Sequence, residues 1–453
     1  MKLAKVIPIY KSGDKTECGN YRPISVISAV AKVFEKLVYR QLSEFLDNYQ
    51  LLSTNQSDFR THHSTETTLL HSSNQYLVNM DRGLINGVLF LDLKKAFDTV
   101  DHKILIAKLK TYGVQGHALQ WFTSYLSGRK QVCKINNEIS NTANITCGVP
   151  QGSNLGPLLF LVYINDLPNC LTSTKASMFA DDTNISCCGD SSVEIEQKLN
   201  TDLENVHKWL ISNKLTLNVE KTEYMIIGSR NRLNNIHSNP EIVIGEQTIE
   251  RVARKEFLGV IVDEKLNWHE QVDTQCQKMS KNIALLRRAK KYITTDASVT
   301  MYNAFVLPHF TYCSTVWQQG NVTHIDKLNK LQKRAARIIT SSSYEDRSAD
   351  IFKTLHWEPI GNIFNRRQQL MTFMALREMT PKYLTELFST CQNDTYGLRS
   401  NNRKLHLSKP KTNFLKKSFS YRGALAWNKF SDKVVEKYQF LSKGSFKRLI
   451  QTL

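Results

Sequence analysis

Met178-Phe179-Ala180-Asp181-Asp182-Thr183-Asn184-Ile185 sets two adjacent carboxylates between short β-prone flanks. Such a stretch predicts a hairpin whose tight turn presents both acids at its tip. Adjacent anions repel, so the pair is favoured where a cation neutralises it; taken alone, Asp-Asp also reads as an ordinary solvated turn. A second acidic signal lies upstream. Val88-Leu89-Phe90-Leu91 is a continuous apolar run after Gly87, the pattern of a strand buried on both faces, and it ends in Asp92. If the three acids converge, Asp92, Asp181 and Asp182 form a donor set for two Mg²⁺ ions about 3.5 to 4 Å apart, as in-line phosphoryl transfer requires, with Mn²⁺ as a substitute.

The surrounding chain is mixed. Ile195, Leu199, Leu203, Val206 and Leu210 place one apolar stripe on an amphipathic helix. Leu215 to Val219 and Tyr224 to Ile227 read as short strands. Ile242 to Gly245 and Phe257 to Val262 read as the two strands of a later hairpin. Beyond residue 262 the texture is helical: Ile325, Leu328, Leu331, Ala335 and Ile338 keep helical spacing among Lys327, Lys330, Lys333, Arg334 and Arg337, a basic amphipathic helix. Ser341-Ser342-Ser343 reads as a short linker. Phe414, Phe419, Tyr421, Trp427 and Phe430 lie among lysines and arginines, a pattern that serves either base stacking or a small helical core.

Composition bounds the function. Of 453 residues, 41% are apolar and 22% charged, which excludes disorder over most of the chain. The longest apolar run, Gly156 to Ile164, falls short of the roughly 20 residues that span a bilayer, so no membrane partner is expected. No secretory signal is read at the start, and the expected compartment is the nucleus or cytoplasm. Nine scattered cysteines without a C-x2-C pair read as reduced thiols rather than a zinc site. The net charge of +19 is unevenly spread: through residue 260 the chain holds 28 basic and 26 acidic residues, and from 261 onward 32 and 15. One part built for chemistry beside another that neutralises phosphates has this distribution.

Asn20-Tyr21-Arg22-Pro23-Ile24-Ser25, Phe90-Leu91-Asp92-Leu93-Lys94-Lys95-Ala96-Phe97-Asp98, Gly148-Val149-Pro150-Gln151-Gly152-Ser153 and Phe179-Ala180-Asp181-Asp182 follow one another in an order that resembles the reverse transcriptase of non-LTR retrotransposons, the LINE-type elements and especially their jockey-like branch. Leu217-Asn218-Val219-Glu220-Lys221-Thr222 and Phe257-Leu258-Gly259-Val260 continue the series over roughly 250 residues. Gln332 to Arg337 and Ala426 to Lys429 match that branch's thumb and C-terminal region more loosely. The resemblance implies an α+β right-hand polymerase, with fingers and an antiparallel palm over 1–262, a helical thumb over 263–345 and a basic C-terminal region over 346–453. It implies an RNA-directed DNA polymerase acting on an RNA template, a DNA primer and deoxynucleoside triphosphates.

Site roles follow from the same resemblance. Asp92 and Asp181 are the principal metal ligands, Asp182 completes the cluster, and the carbonyl of Leu93 adds a ligand. Phe97 closes the sugar pocket against a 2′-hydroxyl. Lys11 and Arg22 bind the triphosphate, as a compact ammonium and a bidentate guanidinium do. Gln151 and Gly152 lie near the nascent base pair, Lys221 corresponds to a proton donor for leaving pyrophosphate, and Phe257, Leu258 and Gly259 form the primer-gripping hairpin. Asp98 and Asp101 are expected as turn or capping residues, and His62-His63 as surface. The match begins almost at Met1, inside the fingers, so a truncated reading frame without an upstream endonuclease is expected. The alternative is a catalytically inactive remnant that binds RNA or DNA through its basic C-terminal half. Nothing in the sequence sets the oligomeric state.

Overall fold

The computed structural model describes residues 2–319, 321–391, 404–431, 435 and 438–452; the remainder of the expected C-terminal region lies outside the described residues. The chain opens with strands β1 (Leu3–Tyr10) and β2 (Tyr21–Val26), antiparallel with Ile9 opposite Arg22. Helix α1 (Ala29–Asn48) and helix α2 (Thr65–Asp81) follow, and then β3 (Ile85–Leu91). Strand β4 (Lys130–Ile135) returns to pair in parallel with β1. Helix α3 (Gly156–Ile164) leads to the hairpin of β5 (Lys175–Phe179) and β6 (Asp182–Gly189). Helix α4 (Ser192–Ser212) then crosses back before β7 (Glu223–Ile227) and β8 (Glu250–Arg251).

The central sheet runs β8-β7-β3-β6-β5, antiparallel apart from the β8–β7 pair. Every residue of β3 is buried because both faces are covered. Ile85, Leu89 and Leu91 join the core that holds α3 and α4, whereas Val88 and Phe90 join a second core with Leu69, Tyr76 and Leu77 of α2. Alternating side chains thus serve two different layers, which is why the run carries no polar residue except Asn86. The α4 stripe is buried as its spacing implies, Ile195, Leu199, Leu203 and Val206 all at 0% exposure. Gly87 permits that close packing, since a Cβ there would lie 2.3 Å from Ile195 Cγ2.

Two short-strand expectations are corrected. Leu215 to Val219 is not a strand: Leu217 makes a single bridge to Leu93, Val219–Lys221 forms a 3-10 turn, and Lys94 N donates to Thr216 O. That segment hangs on the loop after β3 instead of extending the sheet. Ile242 to Gly245 does not pair with Phe257 to Val262 either. Val243–Ile244 pairs with Gln247–Thr248, and β9 (Arg254–Phe257) pairs with β10 (Val260–Asp263). Gly245 and Gly259, both at positive φ, supply a local turn for each, so each half closes on its nearest neighbour.

The second core continues into the helical part. Helices α5 (His269–Ala289), α6 (Val322–Thr340) and α7 (Ile360–Leu376) contribute Met279, Ile283, Leu328, Ala335, Ile360 and Phe364 to the cluster that holds Val88 and Phe90. On α6 the deepest residues are Leu328, Gln332, Ala335, Ala336 and Ile339, while Ile325, Leu331 and Ile338 are only partly buried. The stripe is rotated because Gln332 reaches inward, donating to Glu358 O and accepting from Ile360 N. Ser341 to Ser343 forms a capped turn, with Ser341 left-handed and Arg337 donating to Ser343 O. Helices α8 (Asn413–Lys417) and α9 (Phe419–Trp427) follow, and Phe419 and Trp427 are buried core residues. Both helices pack on α2: Thr412 N donates to Asp81 Oδ1 and Ser420 N to Asn74 Oδ1.

Candidate active site

The β5–β6 turn is as tight as its sequence implies, Phe179 facing Asp182 across the hairpin. Ala180 sits at φ 51° and donates its N–H to Gln56 Oε1 at 3.2 Å. Gln56 is wholly buried, and the same oxygen accepts from Ser57 N and Asp58 N at 3.0 Å each. The segment around Gln56 runs alongside β5, Met178 N donating to Asn55 O and Ser57 N to Met178 O. One buried amide therefore anchors the acidic turn to a loop more than a hundred residues upstream.

Asp92 stands where β3 ends, gripped at three atoms. Its N–H donates to Thr222 Oγ1 at 3.3 Å, its carbonyl accepts from Asn218 N at 2.7 Å, and its Oδ2 accepts from Asn218 Nδ2 at 2.8 Å. Thr222 Oγ1 in turn donates to Asn218 O, closing the bracket. The Leu217 to Thr222 motif is thus a clamp on the first carboxylate. Leu93, next in line, is held by its bridge to Leu217.

The carboxylates act on one another. Burial raises the Asp181 carboxyl above its ordinary range, the Asp92 charge adds to that, and Arg22 and Lys11 oppose it. Desolvation of the carboxyl, then the charges of Asp181, Asp92 and Asp58, push Asp182 up to about 6, although the residue stays exposed at the hairpin tip; Lys255 opposes. Burial also raises Asp58, and Asp181 contributes. Among the described residues no three His, Cys, Asp or Glu side chains form a ready-made ligand cage, so the arrangement is one of mutually repelling acids facing cations.

Lys11 and Arg22 are exposed on the edge facing Asp181, aligned by the β1–β2 pairing and by Lys11 N donating to Asn20 O. Phe97 is partly buried and stacks on the fully buried Phe160, centroids 4.4 Å apart. Its carbonyl accepts from Val149 N at 2.8 Å. Gln151 O accepts from Ser25 N at 2.7 Å, and Gly152, at φ 108°, lets β2 approach: a Cβ there would lie 2.8 Å from Ser25 O. Asp101 caps the helix His102–Thr111 through Lys103 N and Ile104 N. Asp98 does close a turn, but its Oδ1 also accepts from Gln151 Nε2 at 3.0 Å, an interaction that the turn reading does not contain.

Phe257 packs on Phe90 at 5.5 Å, and the Leu258-Gly259 turn is braced by Tyr312, whose hydroxyl donates to Leu258 O at 2.8 Å. Lys221 is exposed; its carbonyl accepts from Lys255 Nζ, and Lys255 is the cation coupled to Asp182. His62 is exposed, while burial holds the His63 imidazole below its usual range. All nine cysteines are free thiols. Sequence reasoning missed Gln56, Asp58 and Lys255 as neighbours of the acids. Asn218 and Thr222 lie within the Leu217 to Thr222 motif, but their hydrogen bonds to Asp92 span 126 and 130 positions and have no local signal.

Residues 9–262 match the family model described as reverse transcriptase (RNA-dependent DNA polymerase). The probable RNA-directed DNA polymerase from transposon X-element of Drosophila melanogaster is 27% identical over 81% of this chain and 40% of its own length. The RNA-directed DNA polymerase from mobile element jockey of Drosophila funebris is 25% identical over 85% of the chain and 41% of its own. The chain thus spans about two fifths of the length of these relatives. Among solved structures, apo telomerase from Candida tropicalis is similar over 97% of this chain and 69% of its own, with a TM-score of 0.46 and 11% identity. The family match covers more than half of the chain and includes every carboxylate of the cluster: this chain belongs to the reverse transcriptase (RNA-dependent DNA polymerase) family.

Proposed function

We propose that the chain is a nucleotidyltransferase, an RNA-directed DNA polymerase of retrotransposon type that adds deoxynucleotides to a DNA primer on an RNA template. The observation that carries this reading is that Leu91 of β3 faces Thr183 of β6, which brings Asp92 to the Asp181-Asp182 turn, where the three carboxylates act on one another and Lys11 and Arg22 bear on Asp181. Carboxylates that raise one another's protonation suit hard divalent cations, which take oxygen ligands and remove the repulsion. Asp92, Asp181, Asp182 and the Leu93 carbonyl would hold two Mg²⁺ ions, or Mn²⁺. When bound, such ions supply activation of the primer 3′-hydroxyl and neutralise charge on phosphate and pyrophosphate. Lys11 and Arg22 receive the triphosphate, Phe97 walls the sugar, Gln151 and Gly152 border the nascent base pair, and the exposed Lys221 donates a proton to pyrophosphate.

The 1–262, 263–345 and 346–453 regions act in this reading as fingers with palm, thumb and a basic C-terminal brace. Lys330, Lys333 and Arg334 on the exposed side of α6 meet template and primer phosphates. No helix among the described residues is long and apolar enough to cross a membrane; the nucleus or cytoplasm is the compartment that this reading expects. Primer extension on an RNA template with Mg²⁺ and deoxynucleotides tests the reading, with Asp181→Ala/Asp182→Ala as the comparison. Extension by the unaltered chain alone is the expected result. If neither extends and both bind primer-template, the chain is a nucleic-acid-binding remnant, the reading favoured by the excess of basic residues after 260.

A further inference from the structure

Asp98 directly follows the aromatic gate Phe97, and its side chain reaches away from its own turn. Asp98 N donates to Lys95 O at 2.8 Å, which already completes the turn. Its Oδ1 accepts from Gln151 Nε2 at 3.0 Å. The carbonyl of that same Gln151 accepts from Ser25 N on β2, three residues beyond Arg22, and Val149 N donates to Phe97 O. A path of three hydrogen bonds therefore joins the sugar gate, the amide of Gln151 and the strand that carries Arg22.

The chemistry of the pair sets an orientation. An ionised carboxylate accepts only, so it can hold only the nitrogen end of the amide. The oxygen end of Gln151 is turned away from Asp98. Both side chains line a cleft of about 350 Å³ with Pro23, Ser25 and Gly148, which leaves the amide room to rotate once Asp98 is removed. We propose that Asp98 is a positioning residue for nucleotide selection: it holds the Gln151 nitrogen, so that the amide oxygen meets a hydrogen-bond donor of the incoming nucleotide and β2 stays in register with the Phe97 gate. This rests on the polymerase reading above.

The test is single-nucleotide incorporation by the full chain, with a double-mutant cycle and a thermal melt of every variant. Asp98→Ala raises the KM for deoxynucleotide roughly tenfold, the effect of one hydrogen bond to a charged group, and changes kcat far less. Asp98→Asn, which keeps an acceptor oxygen, raises it less. In a Gln151→Ala background Asp98→Ala adds nothing, because the residue acts through Gln151. Additive KM effects, or a loss confined to kcat, overturn the proposal. Should Asp98→Ala not fold, Gln151→Glu places two carboxylates together, and Asp98→Asn in that background lowers the raised KM by donating its amide; absence of that rescue overturns the proposal equally. If the unaltered chain extends no primer, the polymerase reading itself falls and the role of Asp98 with it.

Discussion

Asn218 donates to Asp92 twice, from its side chain to Oδ2 at 2.8 Å and from its backbone to the carbonyl at 2.7 Å. The pair is 126 positions apart in sequence, and the second bond fixes the geometry of the first. A carboxylate held this way loses little rotational freedom when it meets a cation.

Asn218→Ala leaves the backbone bond and removes the side-chain one. A hydrogen bond to a charged group contributes about 1.5–3 kcal/mol, so incorporation is expected to slow roughly ten- to a hundredfold. Single-turnover kinetics with a parallel Mn²⁺ binding titration checks this. Unchanged rate and unchanged metal affinity would remove Asn218 from the site.

Asp182 yields a pH prediction. Its carboxyl is raised from 3.8 to about 6, chiefly by desolvation, so the folded state without metal holds a proton that the unfolded chain has released. Its contribution to stability is therefore present below pH about 4 and is lost as pH rises through about 6. Its exposure tempers the size of the effect through solvent screening. The gap in melting temperature between the unaltered chain and Asp182→Asn is expected to widen from pH 5 to pH 7.5 in chelator, with the variant more stable at the higher pH. Mg²⁺ reverses the trend, because the ion competes with the proton. A gap that does not move with pH sinks the assignment.

Phe97→Val removes the ring proposed to wall the sugar, together with its stacking on Phe160. Ribonucleotides are expected to gain at least tenfold in kcat/KM relative to deoxynucleotides, a transition-state difference of about 1.4 kcal/mol. Competition between the two nucleotide types on one primer measures this directly, and unaltered sugar selectivity ends the steric role.

Gln56→Leu nearly keeps the volume but takes away the acceptor of Asp58 N and Ala180 N, whereas Ser57 N keeps its bond to Met178 O. Leaving buried N–H groups without a partner costs about 1–3 kcal/mol each. A lower melting temperature together with lost extension is expected, since the Asp181-Asp182 turn loses its anchor. Normal stability in urea titration would show that water replaces the amide.

Basic residues on the exposed side of α6 are best tested by substitution. Removing everything after residue 260 would strip α8 and α9 from α2, breaking the Thr412–Asp81 and Ser420–Asn74 bonds and uncovering the layer beneath β3. Lys330→Glu with Arg334→Glu leaves that packing intact. The slope of log affinity against log salt is expected to fall by about 0.9 for each duplex phosphate that the variant no longer neutralises. An unchanged slope in filter binding places the nucleic acid elsewhere.

The legible part of this protein was local. A buried strand ending in Asp92, a hairpin tip carrying Asp181 and Asp182, and the α4 stripe all follow from period and turn chemistry, because each is decided by neighbours within a few residues. The two misreadings have different causes: Leu215 to Val219 is held by a loop that is distant in sequence, whereas the hairpin assigned to Ile242 and Phe257 overlooks Gly245 and Gly259, which turn each half onto its nearest neighbour. The Leu217 segment had β-prone residues but found its partners in the loop after β3.

The sequence by itself determined the identity and order of the acids, the glycines at the turns, and the excess of positive charge after residue 260. Only the tertiary structure decided that Gln56 holds the acidic turn, that Asn218 and Thr222 hold Asp92, that Lys255 bears on Asp182, and that Asp98 reaches Gln151. The physical reason is that a hydrogen bond or charge pair between distant positions leaves no periodicity in the chain. It exists only once the two hydrophobic cores have set the backbone segments side by side.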